Sequence, residues 1–417
     1  MSYPKSWSWI AAQRLPVSKM RVKLQPSTPL TAAPFDTTAY TLPANVLLNL
    51  RSIAFHGKVT TTTTAGFAVV PFAEALIDSL AIEIGGQLVS SGHPMYNFLF
   101  KMLALDFQLQ DRASMRQVLQ LQQTGANLVS PVANQNGADF AIYNHLGFLG
   151  TSSVGLLDTS LVPQVRILIR WAPAAVLATN AASTGRNYSL KDLYMTCETV
   201  EVLDGNTYQQ LLQKRVASAP LTLTWTDYQL QQSGIVTAAL DQTARFTCAA
   251  NSLDCVHSTF VHGDANTKAD GTFSTKGYSY YFERGAGATG AIASAQYSIN
   301  STQSPSFRPT LPDVWVQTMD ALSEINTTLG QVAPGLASID DFHNSYFLHS
   351  LRFNVPAALG EQQTLSGINT VGSTVASSWQ TFGTAVAAPA GGLIPLVILE
   401  HSRILSISPG KQIAVTV

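Results

Sequence analysis

The stretch LAIEIGGQLV, residues 80–89, leads through a short polar segment to Pro94 and an apolar helical pattern ending in Met102, Ala104 and Leu105. Leu80, Ile82 and Ile84 alternate with Ala81 and Glu83, the period-2 pattern of a half-buried strand, and Gly85-Gly86 marks a turn. The same order returns from Ala295. There Ala295, Tyr297 and Ile299 alternate with Gln296 and Ser298, a Ser/Pro/Arg turn follows, and Pro312 opens a second helix that ends in Met319, Ala321 and Leu322. The two Met-x-Ala-Leu endings lie 217 residues apart. A shared order of elements at half-chain spacing predicts two β-rich domains of one plan in tandem.

Size agrees with this, because 417 residues exceed one ordinary core and divide naturally into two. Apolar residues make up 46% of the chain and charged residues 12%, about half the usual share of roughly 25%. So few charges imply that much of the outer surface is itself covered, as in a permanent oligomer. The net charge of −1, from 24 Lys+Arg against 25 Asp+Glu, argues against a body that wraps nucleic acid. The first 35 residues differ: they hold Lys5, Arg14, Lys19, Arg21 and Lys23 and no acid. Three cysteines, Cys197, Cys248 and Cys255, are too few for a secreted disulfide framework, so folding inside a cell is expected. The N-terminus lacks a continuous apolar signal core, and no run of about 18 apolar residues is present to span a bilayer.

Along the chain, residues 1–40 read as a basic, then Pro/Thr/Ala-rich arm. Strands follow at Val46–Leu50, at Ile53 and Phe55 and at Val59–Thr64, and a Gln-rich helical stretch at Ala113–Gln123. Val165–Trp171 places Arg166 and Arg170 on one face and Ile167, Ile169 and Trp171 on the other. Leu190–Val202 places Leu193, Met195, Cys197 and Thr199 together. A helix from about Thr207 to Val216 precedes the join at Ala217–Pro220, which predicts domains at 41–217 and 218–417. Residues 262–292, rich in Gly, Ala, Ser and Thr around an aromatic strand at Tyr278–Phe282, read as a long surface insertion. The helix at 311–322 puts Leu311, Val314, Trp315, Thr318, Met319 and Leu322 on one stripe.

Chemical motifs are weak. Gly285, Gly287 and Gly290 match a GxGxxG fingerprint, but an alternating strand follows where a phosphate cradle needs a helix. Cys248, Cys255, His257 and His262 lie close in sequence, yet six residues separate the cysteines where structural zinc sites use two to four, so buried thiols are expected. His343 and His349, with Asp340 and Asp341 nearby, read as a solvated turn leading into an aromatic strand. No catalytic, cofactor or metal residues are expected, and the chain is read as a non-enzyme.

Several segments resemble the double jelly-roll major capsid proteins of tailless icosahedral viruses, the lineage of adenovirus-like, polinton-type, virophage and lipid-containing phage capsids. LAIEIGGQLV (80–89) resembles an early hairpin of the first jelly roll, and YSLKDLYMTC (188–197) with YQQLL (208–212) is similar to the strand and helix that close it. LSGINT (365–370), VGSTV (371–375) and Trp379 resemble a late strand of the second roll. PLVIL (395–399), ILSI (404–407) and IAVTV (413–417) are similar to its last strands. The resemblance implies a mostly β fold of two tandem eight-stranded jelly rolls with short inserted helices and an N-terminal arm facing the capsid interior. It also implies a homotrimer forming pseudo-hexagonal capsomers, with neighbouring capsomers, penton and minor capsid proteins and an internal membrane as partners, and no sequence-specific nucleic-acid binding. Lys5, Arg14, Lys19, Arg21 and Lys23 are then candidates for interior, membrane or capsomer contact, in a virion protein assembled inside the host cell. The competing classes are a secreted or surface β-sandwich carbohydrate-binding module or adhesin, and a carbohydrate-active enzyme. The enzyme would need paired carboxylates that the eight Glu do not supply in any motif.

Overall fold

The computed structural model describes residues 17–61, 67–68, 73–90, 95–106, 138–150, 155–174, 178–179, 187–202, 205–234, 241–262, 292–326, 339, 342, 347–354, 367–381 and 393–416. Lys5, Arg14, the Gln-rich stretch at 113–123, the aromatic strand at 278–282 and nearly all of the 262–292 insertion lie outside these residues. So do the GxGxxG segment and Asp340, Asp341 and His343.

In chain order the first half carries β1 (Val17–Leu24), β2 (Thr37–Thr41), β3 (Leu47–Thr61), β4 (Phe67–Ala68), β5 (Ile77–Ile84) and β6 (Gln87–Ser90). Then come α1 (Tyr96–Phe100), which continues as a π-helical turn over Lys101–Asp106, β7 (Ala138–Ile142), β8 (Leu156–Asp158), β9 (Val165–Trp171), β10 (Ala178–Thr179), β11 (Tyr188–Val202) and α2 (Gly205–Ser218). The second half carries β12 (Leu221–Gln232), β13 (Asp241–Cys248), β14 (Leu253–His262), β15 (Ile292–Ile299), β16 (Thr302–Ser304) and α3 (Leu311–Asn326). It ends in β17 (His349–Arg352), β18 (Ser373–Thr381), β19 (Leu393–Ser408) and β20 (Gln412–Thr416).

The two halves pair their strands in the same order. One sheet of the first half runs β1-β11-β3-β7, and its counterpart in the second runs β12-β19-β14-β17. The other sheets run β2-β9-β5-β6 and β13-β18-β15-β16. Replacing each first-half strand by its partner in order converts one pattern into the other, so each half is an eight-stranded antiparallel jelly roll. β8 beside β3, β20 beside β19 and the short β4–β10 pair are additions to that plan.

Local alternation explains most of these strands. In β9, Val165, Ile167, Ile169 and Trp171 are buried while Arg166 and Arg170 are exposed. In β11, Tyr188 and Leu190 point inward, and after an irregularity at Lys191–Tyr194, where Asp192 takes φ 53°, the inward set becomes Leu193, Met195, Cys197 and Thr199. One extra residue therefore flips the parity, the usual effect of a bulge. The segments read from sequence as separate strands between Val46 and Thr64 form one strand, β3, through Thr61. A break in register between Asn49 and Ala54 lets Leu48 and Leu50, then Ile53, Phe55 and Val59, all face the core.

The duplicated hairpins are built on the same turn from different residues. Gly85 and Gly86 take φ of 58° and 81° between β5 and β6, and Asn300 and Ser301 take 47° and 71° between β15 and β16. Two successive left-handed residues are the signature of a type I′ turn, whose twist suits a two-residue hairpin. In the second copy Asn300 is tied to β18: its Nδ2 donates to Ser373 Oγ at 2.7 Å and its Oδ1 accepts from Thr374 N at 3.0 Å. Gln296, expected on an outer face, is buried because its Nε2 donates to the carbonyls of Pro305 and Phe307 in the following loop.

Thr310 starts α3: Asp313 Oδ2 accepts from both the Thr310 backbone N–H (3.0 Å) and its hydroxyl (2.7 Å), so the carboxylate satisfies a free donor at the first turn. Leu311, Val314, Thr318 and Leu322 are buried as the helical stripe requires. Met319 is 39% exposed, because the inward position in that turn is taken by Ala321. Its counterpart Met102 is fully buried in the π-helical turn. The shared tetrapeptide therefore marks equivalent helices rather than equivalent packing.

The halves meet in a closed seam. Phe148 packs edge-to-face on Trp225, ring centroids 5.1 Å apart, and both are buried. Ser90 Oγ donates to Asp227 Oδ1 at 3.0 Å, Arg403 forms an ion pair with Asp227 Oδ2 at 3.1 Å, and Arg403 Nη1 donates to the Val89 carbonyl at 3.0 Å.

Candidate interaction face and buried polar cluster

Of the five basic residues singled out near the N-terminus, Lys19, Arg21 and Lys23 belong to an ordered strand rather than to a free arm. β1 pairs with β11 over its whole length, Val17 opposite Val202 through Leu24 opposite Met195. The alternation Lys19-Met20-Arg21-Val22-Lys23-Leu24 is itself a strand signal: Val22 and Leu24 pack against the core while the three cations stand on the exposed face. β2 likewise belongs to a sheet, at its edge, so residues 17–24 and 37–41 of the segment read as an arm over 1–40 are strand, and residues 1–16 lie outside the described residues.

That exposed face continues onto β11 and β3. Lys23 Nζ sits 3.9 Å from the centre of the Tyr194 ring, and His56 stacks on Tyr194 at 4.7 Å with planes 7° apart. His56 Nε2 lies 3.0 Å from Thr196 Oγ1, and Arg21 Nη2 donates to the same hydroxyl at 3.4 Å. Partial burial, with Arg21 and Lys23 beside it, lowers the basicity of His56. Lys19 pairs with Glu198 at 3.7 Å and Lys58 with Asp192 at 3.7 Å, so part of the positive charge is locally neutralised. The result is a modest basic and aromatic face.

A second polar group lies buried in the other half. Cys255 and His257 alternate onto one face of β14, and strand register places Glu400 of β19 opposite Cys255 and Ser350 of β17 opposite His257. His257 Nδ1 is 2.8 Å from Ser350 Oγ, His257 Nε2 is 3.3 Å from Glu400 Oε2, and Cys255 Sγ is 3.9 Å from Nδ1. Burial, with Glu400 adding to it, pushes the Cys255 thiol well above its ordinary value, so it is no ready nucleophile. Cys248 belongs to β13 in the other sheet, buried like Cys197 and Cys255. His349, expected at a solvated turn, is fully buried and stacks on Tyr297 at 4.3 Å; burial pulls its basicity down to about 3. Glu400 carries no sequence signal, since it stands 143 residues from His257 and only register brings the two together.

Among the described residues no helix is long and apolar enough to cross a membrane. No protein-family profile matches the chain, and no curated protein sequence matches it. Solved structures do. The PBCV-1 protein VP54, in its crystal structure as fitted into a cryo-EM reconstruction of the virophage Sputnik, superposes with a TM-score of 0.63 at 13% identity, covering 97% of each chain. The Faustovirus major capsid protein matches with 0.62 at 8% identity over 94% of this chain and 91% of that one. The mavirus major capsid protein matches with 0.52 at 10% identity over 100% and 95%. The chain has the double jelly-roll fold of these capsid proteins, from β1 to β20.

Proposed function

We propose that this chain is a major capsid subunit, without catalytic activity, whose copies close into trimeric pseudo-hexagonal capsomers that tile an icosahedral shell. The observation that carries the reading is the repeated strand order, one jelly roll after another in a single chain, together with a correspondence that spans 97% of both this chain and VP54. Two like domains per chain give a trimer six similar lobes, and closed rotational symmetry lets each contact be used three times. The scarcity of charge, 12% of residues, suits a surface given over largely to contact between copies.

In this reading the first jelly roll begins at Val17 and ends with α2, and the second begins at Leu221. No strand before Val202 pairs with one after it among the described residues, which supports that division. Residues 1–16, with Lys5 and Arg14, form the interior arm, residues 262–292 form the surface insertion, and the face of Lys19, Arg21 and Lys23 meets a neighbouring capsomer. Penton and minor capsid proteins and an internal membrane are the remaining partners, and the site of action is the virion shell. The test is mass in solution and particle formation by negative-stain microscopy. The expected species has the mass of three 44.7 kDa chains and yields shells under assembly conditions. A stable monomer at micromolar concentration would overturn the reading. Deleting residues 1–16 should leave the trimer and impair shells. Deleting 1–24 should cost the fold itself, because it strips β1 from its sheet.

A further inference from the structure

We propose that Cys255, His257 and Glu400 form a zinc-binding site inside the second jelly roll. One donor atom from each, a sulfur, an imidazole nitrogen and a carboxylate oxygen, lie within 4.8 Å of one another. Three kinds of donor on two neighbouring strands are what zinc accepts; magnesium and calcium prefer oxygen alone.

The imidazole is oriented for the task. Ser350 Oγ lies 2.8 Å from His257 Nδ1, and the Ser350 backbone N–H is itself held by Thr318 Oγ1 at 3.1 Å. An Nδ1–H that donates to Ser350 leaves the Nε2 lone pair facing Glu400 Oε2 at 3.3 Å, and two acceptors at that distance need a positive charge between them. A metal-bound histidine commonly gives its second ring N–H to such a neighbour. Tetrahedral zinc, with bonds of about 2.0–2.2 Å to nitrogen and oxygen, sets an N···O edge of about 3.4 Å, close to the spacing present. Cys255 Sγ, 3.9 Å from the other ring nitrogen Nδ1, turns toward Nε2 and Glu400 to supply the third ligand. Charge also balances: a thiolate and a carboxylate cancel the two charges of the ion, which makes the site tolerable under burial. Binding releases the thiol proton to solvent and changes no oxidation state. Glu400, whose side chain is 20% exposed, is the side from which the ion and a fourth, solvent ligand enter. The ion would clip β14 to β19, and through Ser350 to β17.

The competing arrangement is a hydrogen bond from Nε2–H of His257 to Glu400, with no metal. Full-length protein purified under reducing conditions should carry or take up one zinc per chain by elemental analysis. With cobalt(II) as probe it should show tetrahedral visible bands and a thiolate-to-cobalt charge-transfer band in the near ultraviolet. Cys255→Ser should abolish the charge-transfer band and weaken zinc binding at least tenfold, whereas Cys248→Ser should change neither. Chelation should lower the melting temperature of the wild type and not that of Glu400→Gln. Absence of the thiolate band in wild-type protein at saturating cobalt, a reading that requires no variant to fold, refutes the site. So does equal zinc uptake by wild type and Cys255→Ser. The outcome is independent of whether the protein forms trimers.

Discussion

Replacing Arg403 by Leu removes the cation of a buried ion pair inside the second jelly roll, between β19 and Asp227 of β12, together with one hydrogen bond across the seam, while keeping the bulk of the side-chain stem. The Arg403–Asp227 pair is 3.1 Å apart with side-chain exposures of only 12% and 4%, and Arg403 also donates to the Val89 carbonyl across the seam. The substitution removes the cation from the buried Asp227 carboxylate, which keeps the Ser90 hydroxyl, and removes the donor from Val89. Breaking a buried pair from one side costs about 3–5 kcal/mol, mostly because the stranded charge has no compensation. With an unfolding entropy of about 2.1 cal/mol/K per residue over the whole chain, that corresponds to a fall of about 3–6 °C in melting temperature if the chain unfolds as a unit. Scanning calorimetry at matched protein concentration measures it, since association contributes to apparent stability. Arg403→Leu combined with Asp227→Leu should recover most of the loss, because no charge is then left buried. A single variant within about 1 °C of wild type, or a double variant whose losses simply add, would refute the view that this buried pair stabilises the second roll's side of the seam.

The hairpin turns give a matched pair of tests by chemical denaturation. Ser301→Gly should stabilise by several tenths of a kcal/mol, up to about 1, because serine is held at positive φ; Gly85→Ala should destabilise by more than about 1, because its new Cβ meets the Pro163 ring as well. Gly367→Ala should cost about 1–3 kcal/mol or more in the same assay, since the added carbon collides with the Leu253 carbonyl oxygen and lies 2.6 Å from both Asp254 Oδ1 and Ser252 Oγ. His145, buried edge-to-face on Phe55 with its Nε2 on the Ile53 carbonyl, has its basicity pulled down to about 4 from 6.5, chiefly by burial. The unfolded chain therefore binds the proton first: stability is full above about pH 6.5 and falls by about 1.4 kcal/mol per unit toward pH 4, about 3 kcal/mol in all. Melting curves across that range should fall less steeply in His145→Gln than in wild type by this amount, the slope that remains coming from groups such as His349.

The strands that alternate cleanly, β5, β9 and the outer part of β11, were legible because each residue's face follows from its neighbours two positions away. β3 was not, because its inward set changes parity where the register with β11 breaks, and no local pattern records a partner 149 residues distant such as Glu198 for Asn49. β1 escaped notice for a different reason: three cations in eight residues look like a solvated tail unless Val22 and Leu24 are read as the other face. Lys19, Arg21 and Lys23, read as part of an arm, therefore stand in a paired strand instead. The Cys255–His257–Glu400 group shows the same limit. Spacing along the chain argues about helices and loops, whereas here the third donor arrives from a neighbouring strand.

The two hairpin turns also bear on how one fold can be kept by unlike sequences. Gly85-Gly86 and Asn300-Ser301 achieve one backbone conformation by unlike means, the first by lacking side chains and the second by an amide that bonds to β18. What the fold requires at such a position is a pair of torsion angles, and many dipeptides satisfy it once a neighbouring strand helps. Residue identity can then erode almost completely while the path of the chain is kept. That is why three-dimensional comparison finds the same fold at 8–13% identity when family profiles find no match.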